Sequence, residues 1–473
     1  MTTNRNRPWG VLLAVAVALL VAVPFVVFSG RPHARGPVPP PLGPPVNSTL
    51  ELGGYLGTHY ANPFYAVLLS DSGLPTGRLT SIGSFLNSTP ITWVRFGGNG
   101  TGYDPVTETN YVPPAGGGTY EPVSTMLWNL TWFKSWCLSR SPHCLWLAFL
   151  PGEVNSSAYD LETAEWYHEE LGLPPTLWQV GNEPTGWTHY GKNLSSWSTY
   201  DDLGPTNLDY AVDARNAIAA VTSVFPSDRF VGLEASCGCD SGEATAAAQL
   251  LGPSVAAMAF HGFPWSTDGS DVAAMLGGLT DTTNLTNEAA RFRAAISAGC
   301  ADCAGVPVEV GAYQAGPAGS LSPLSSGYAG APFLAASVIQ AIYANISMFT
   351  VFSTDSLLDS STGTPLPEGL LYQRVLENMT MGNDYAVGVN AAGVGGVFSL
   401  LVRNATHESL LLVNSNVSYS LNLTVPASVF PVGTEGSEWL WGPQSATPQT
   451  TRELVLPTTY SVPSEGILLL DNY

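Results

Sequence analysis

Between residues 49 and about 381, short apolar runs alternate with stretches of helical spacing, and this alternation constrains the fold more than any other feature of the chain. Parallel neighbours in a sheet need a crossover long enough to hold a helix, so apolar runs separated by helices read as parallel β/α units. Runs at 91–98 (ITWVRFGG), 144–150 (CLWLAFL), 176–183 (TLWQVGNE), 229–235, 255–263, 306–311 and 347–353 (SMFTVFS) are predicted strands. Segments 160–172, 208–224 and 333–345 are predicted helices, the first opening on Asp160 and closing on Gly172. An opening strand expected at 50–55 brings the count to eight, the number that closes a (β/α)8 TIM barrel.

Past about residue 382 the texture changes. Apolar and polar residues alternate between turn residues, in SLLVRNATHESLLLVNSNVSYSLNLTVP and YSVPSEGILLLDNY, and helical spacing is lost. The expectation is an antiparallel β-sandwich over 382–473 that follows a barrel over 49–381 and braces it.

The other end of the chain predicts export. Arg5 and Arg7 precede an uncharged apolar run from about Trp9 to Ser29, and ~20 apolar residues suffice to cross a bilayer as a helix. Residues 1–30 therefore read as a signal anchor or a cleaved signal peptide, and residues 31–48, with seven prolines, as a semi-rigid linker. Twelve Asn-x-Ser/Thr sequons and six cysteines in close pairs (Cys137/Cys144, Cys237/Cys239, Cys300/Cys303) place the body outside the cell, membrane-tethered or secreted. Zinc fits those cysteines worse than disulfides do, for no matching histidine pattern accompanies them. Lys134 and Lys192 are the only lysines and the formal net charge is −21, which excludes a nucleic-acid partner. No phosphate loop, HExxH or EF-hand pattern occurs, so no cofactor is implied.

Glycosidic bonds are cut by two carboxylic acids, one protonating the leaving oxygen and the other attacking the anomeric carbon or activating water. In a barrel such groups belong at the C-terminal ends of strands. Glu183 follows the predicted fourth strand and Glu309 sits in the predicted seventh, across the mouth from each other. Glu234 on the fifth strand and Glu153 after the third are the competitors for the second role. Trp187, Trp265, Tyr103 and Tyr313 follow strand ends, where an aromatic face could stack on a sugar or serve only in packing.

Gly181-Asn182-Glu183-Pro184 after an apolar strand resembles the acid/base motif of clan A glycoside hydrolases. With segment 94–99 (VRFGGN), the barrel and the trailing sandwich, the chain over 49–473 looks most like glycoside hydrolase family 79, which includes heparanase and β-glucuronidases. Families 39, 5 and 30 of the same clan are possible relatives. The resemblance implies a retaining β-glycosidase acting on carbohydrate. Glu183 would be its acid/base, Glu309 its nucleophile and Asn182 the partner of the sugar 2-hydroxyl. Arg95 would bond the nucleophile and keep it ionised, and His261 would line the same mouth. The rival expectation, from a different class, is an inactive barrel kept as a carbohydrate-binding surface glycoprotein.

Overall fold

The computed structural model describes most of residues 43–472. Residues 1–42, 58–64, 70–75, 97–102, 105–108, 111–122, 151–156, 185–207, 263–271, 315–326, 380–384 and some isolated positions lie outside the described residues. The expected membrane segment and nearly all of the linker fall there, as do Asn182, Trp187, Trp265, Glu153 and Cys239. Residues 1–41 form one unit of the chain and 42–473 another.

Eight parallel strands close the barrel: Tyr65–Leu69, Trp93–Phe96, Leu145–Leu150, Leu177–Val180, Phe230–Ala235, Ala257–Gly262, Val308–Tyr313 and Met348–Val351. The eighth pairs with the first through Phe349–Tyr65, Thr350–Ala66 and Val351–Val67. Side chains alternate along each strand. One set (Trp93, Leu147, Phe149, Leu177, Val231 and Ala259 among it) fills the barrel interior. The other set, with Val94, Trp146, Trp178, Phe260 and Phe349, packs outward into the large core shared with the helices. Helix Leu208–Val224 carries Tyr210, whose buried hydroxyl lies 2.8 Å from the Val180 carbonyl and 2.9 Å from that of Gly232. One side chain thereby fixes the fourth and fifth strands against each other at the level where the fourth ends.

The second layer is a nine-stranded sheet in the order Gln449–Val455, Glu435–Trp441, Ile467–Asn472, Glu408–Asn414, Val397–Arg403, Tyr385–Ala391, Val46–Gly57, Leu421–Thr424, Thr459–Val462. Its folding-over encloses a second core, in which Leu401, Leu410, Leu412 and Leu470 meet Leu421, Leu423 and Val462. The opposite face, through Leu400, Leu411, Val413 and Leu469, joins the barrel core against helix Gly330–Tyr343. Tyr343 seals this junction: its hydroxyl donates to the Ser399 carbonyl (3.0 Å) and accepts the Val389 N–H (3.0 Å).

One expected element is displaced. The run at 50–55 does not open the barrel. It lies in strand Val46–Gly57, whose first half runs parallel to Leu421–Thr424 and whose second half runs antiparallel to Tyr385–Ala391. The first barrel strand is Tyr65–Leu69, so the second layer is built from both ends of the unit rather than from 382–473 alone. Alternation does not distinguish an edge-to-edge sheet strand from the first strand of a barrel. Both offer a short apolar run, LELGGY in one and YAVLL in the other.

Candidate active site

Inward-facing positions at the upper ends of the strands bring five polar side chains together. Arg95 is two residues above inward Trp93 on the second strand, Gln179 two above Leu177 on the fourth, and His261 two above Ala259 on the sixth. Glu234 owes its inward aim to an irregularity: the pairing of the fifth and sixth strands shifts register between Val231 and Glu234. Such a shift re-aims a side chain that strict alternation would misplace.

These groups form one connected network. The Arg95 guanidinium, 1% exposed, donates from Nε to Gln179 Oε1 (3.1 Å) and from Nη1 to the Gly311 carbonyl (3.1 Å), and pairs through Nη2 with Glu234 Oε1 (3.0 Å). Its flat face lies 4.8 Å above the centre of the Phe149 ring. His261 stands between two carboxyls, with Nε2 2.7 Å from Glu234 Oε1 and Nδ1 2.5 Å from Glu183 Oε1. Burial alone would lower the His261 pKa, but the two carboxylates outweigh it and raise it.

Glu183 is the member of the network that reaches the rim, its side chain 19% exposed against 4% for His261 and 1% for Glu234. The strand ends at Val180, and the turn beyond it is pinned at several points. Gly181 donates to the Leu150 carbonyl (3.1 Å) and accepts from Gln179 Nε2 (2.9 Å), while the Glu183 N–H donates to the Glu234 carbonyl (2.9 Å). Glu183 has φ +47°, a left-handed conformation that costs a non-glycine residue on the order of 1 kcal/mol or more and persists only where the surroundings enforce it. Burial pushes its pKa up, but the charge and hydrogen bond of His261, with the field of Arg95, bring it below the ordinary value.

Glu309 is placed elsewhere. It is the second residue of the seventh strand, in register with Ala259, whereas His261 is in register with Ala312. At ~3.3 Å per residue it lies well below the network, inside the barrel. Burial and the neighbouring Glu234 carboxylate, only partly offset by Arg229, push its pKa up to about 8. It holds a proton more tightly than an ordinary carboxyl, and its Oε2 has no hydrogen-bond partner among the described residues. The expected Arg95–Glu309 bond is replaced by Arg95–Glu234. Tyr313 also departs from expectation: it faces the helices, stacked on Phe333 with centroids 5.9 Å apart, and its hydroxyl accepts from Ser337 Oγ (3.2 Å). Of Tyr103 only the backbone, in a two-residue strand, is described.

Sequence reasoning passed over Gln179, and its signal was available. A glutamine amid LWQV has to find partners inside a barrel, because a buried amide without hydrogen bonds is costly.

No family model matches the chain, and no curated protein matches it in sequence. Solved structures do resemble it. A family 51 α-L-arabinofuranosidase from Bifidobacterium longum superposes with a TM-score of 0.65 at 12% identity, covering 90% of this chain and 99% of that one. A family 30 endoxylanase from Clostridium papyrosolvens gives 0.55 at 10% identity, over 90% and 100% of the two chains. A 4-O-α-L-rhamnosyl-β-D-glucuronidase from Fusarium oxysporum gives 0.58 at 13% identity, again over 90% and 100%. At these identities the likeness concerns the fold, and the fold is the barrel with an attached β-sandwich found in clan A glycoside hydrolases.

Proposed function

We propose that this chain is a glycoside hydrolase that cleaves β-glycosidic bonds at the open end of its barrel, with Glu183 as proton donor. One observation carries the reading: Glu183 is a carboxyl held at the rim in a left-handed turn and bonded to a buried histidine that a second carboxylate also holds. Strain of this kind needs a reason, and positioning a proton over a bound sugar supplies one. At 2.5 Å, Glu183 and His261 hold a proton between them, resting on His261 while the site is empty. A leaving oxygen arriving beside Glu183 would draw it off as the glycosidic bond breaks.

The substrate class follows from the same reading. The resembling structures carry xylanase, arabinofuranosidase and glucuronidase names, and the family 79 likeness of the Gly181–Pro184 motif adds glucuronides to the sugars worth testing. Asn182, between Gly181 and Glu183, is assigned to the sugar 2-hydroxyl, and Trp187 and Trp265 to stacking on the ring. The protein is taken to work outside the cell, tethered or secreted. The Cys137–Cys144 and Cys300–Cys303 disulfides and the sequon density support that.

A specific observation favours a second reading, a carbohydrate-binding barrel without turnover. Glu309 is sunk below the network with its pKa pushed up, and from Gly311 to Gln314 the upper end of the seventh strand carries no carboxylate. Hydrolysis of a panel of aryl glycosides (glucoside, xyloside, glucuronide, α-L-arabinofuranoside) from pH 3 to 8 separates the two. Turnover that falls by about 10³-fold or more in Glu183→Gln establishes the hydrolase. An inert protein whose glycan binding is unchanged by the same substitution establishes the binding module.

A further inference from the structure

We propose that the nucleophile of this site is Glu234, so that the carboxylate comes from the fifth barrel strand and not the seventh. The proposal rests on the hydrolase reading above. Gly311 is the inward residue of the seventh strand at network height, and it has no side chain to offer. The space is already filled: a Cβ built on Gly311 would fall 1.5 Å from Glu234 Oε1 and 2.4 Å from its Cδ. The Glu234 carboxylate, having crossed over from the fifth strand, thus fills the space in which a side chain of the seventh strand at this height would begin.

Three further features fit the role. Arg95 is its counter-ion at 3.0 Å, buried with it. Oε1 takes both Arg95 and His261, while Oε2 has no hydrogen-bond partner among the described residues. The Glu183 N–H bonds the Glu234 carbonyl, so the proton donor and the nucleophile are braced by one backbone contact. Glu309 shares the unpartnered Oε2 but not the other two: among the described residues it has no cation at bonding distance and no link to Glu183, and burial beside Glu234 raises its pKa.

In the reaction Glu234 Oε2 bonds the anomeric carbon as the bond to the leaving oxygen breaks, and that oxygen takes the proton from Glu183. Water then bonds the anomeric carbon and gives a proton to Glu183 while the Glu234 carboxylate departs, so configuration is retained. In the empty site the His261 ring lies between the two carboxyls, bonded to both. As the sugar enters, the ring has to leave the proton they share on Glu183 and turn aside, so that Glu183 is the protonated member when the glycosidic bond breaks.

The test traps the intermediate on the unmodified protein. The sugar turned over fastest is supplied as its 2-deoxy-2-fluoro glycoside with an activated leaving group, and the labelled peptide is found by mass spectrometry. The adduct is expected on Glu234. Glu234→Gln should lose about 10³-fold or more of turnover. Glu234→Ala should regain part of it with azide and release a glycosyl azide. Glu309→Gln should stay within a few-fold of wild type. An adduct on Glu309, an inverted first product, or Glu234→Gln turning over within tenfold of wild type overturns the assignment and leaves the hydrolase standing. A wild type inert on the whole panel overturns both.

Discussion

His261 is the residue on which the chemistry of the site and its pH response converge. Its raised pKa adds stability that is complete below its ordinary 6.5 and is lost as pH rises through the folded value. The lowered pKa of Glu183 adds stability that is complete above the ordinary 4.5 and is lost as pH falls through the folded value. The pair is therefore at full strength between those two ordinary values. The melting-temperature deficit of His261→Gln should be largest in that window and shrink on both sides, as thermal melts at pH 3, 5.5 and 8.5 would reveal. Glu309 acts in the same direction as His261 and opposite to Glu183. Its pKa rises to about 8, so the stability it contributes is complete below the ordinary 4.5 and is lost as pH climbs to 8. Glu309→Gln should be more stable than wild type at pH 8.5, by on the order of 1–3 kcal/mol in urea unfolding, and no more stable at pH 4. That Glu183, Arg95 and His261 lie at one end of the barrel was legible because a motif or a strand end announced them. The depth of Glu309 was not, since the sequence shows that a glutamate is in a strand but not at which height.

At the scale of elements, two register irregularities decide the site. One turns Glu234 inward on the fifth strand and the other sets Gly311 beneath it on the seventh. Hydrophobic periodicity assumes an unbroken alternation, so neither was available to it, and Glu234 read only as a competitor. The barrel count was legible for the opposite reason: seven of eight strands are apolar runs long enough to stand out on their own. The exception, Tyr65–Leu69, had a better-looking rival at 50–55. Strand placement can be tested apart from chemistry through Tyr210, which holds the fourth and fifth strands at site height. Tyr210→Phe should cost about 1–2 kcal/mol in urea unfolding, the loss of one buried hydroxyl bond that leaves carbonyls unpaired. Turnover should fall more in proportion than stability does, since Glu183 and Glu234 are presented by those two strands.

For the whole molecule, acidity is built into the interior as well as the surface. Asp160, Glu309 and Glu368 are pushed up to about 8 and Glu288 to about 7, in each case first by burial. Each raised pKa gives stability that is complete below the ordinary carboxyl value and drains away as pH rises toward 7 or 8. With a net charge of −21 adding repulsion in the same direction, the protein should melt several degrees higher at pH 5 than at pH 8. Calorimetry at the two values checks this. The composition hinted at the charge balance, but which carboxyls lose their water depends on packing that no composition states. Strand Val46–Gly57, finally, determines how the body bears load. It runs through the middle of the nine-stranded sheet with partners on both sides. Traction on the preceding chain would strain its hydrogen bonds in shear, all together, rather than peel them one by one. A pull from the N-terminal side would then be borne first by this sheet and only after it by the barrel.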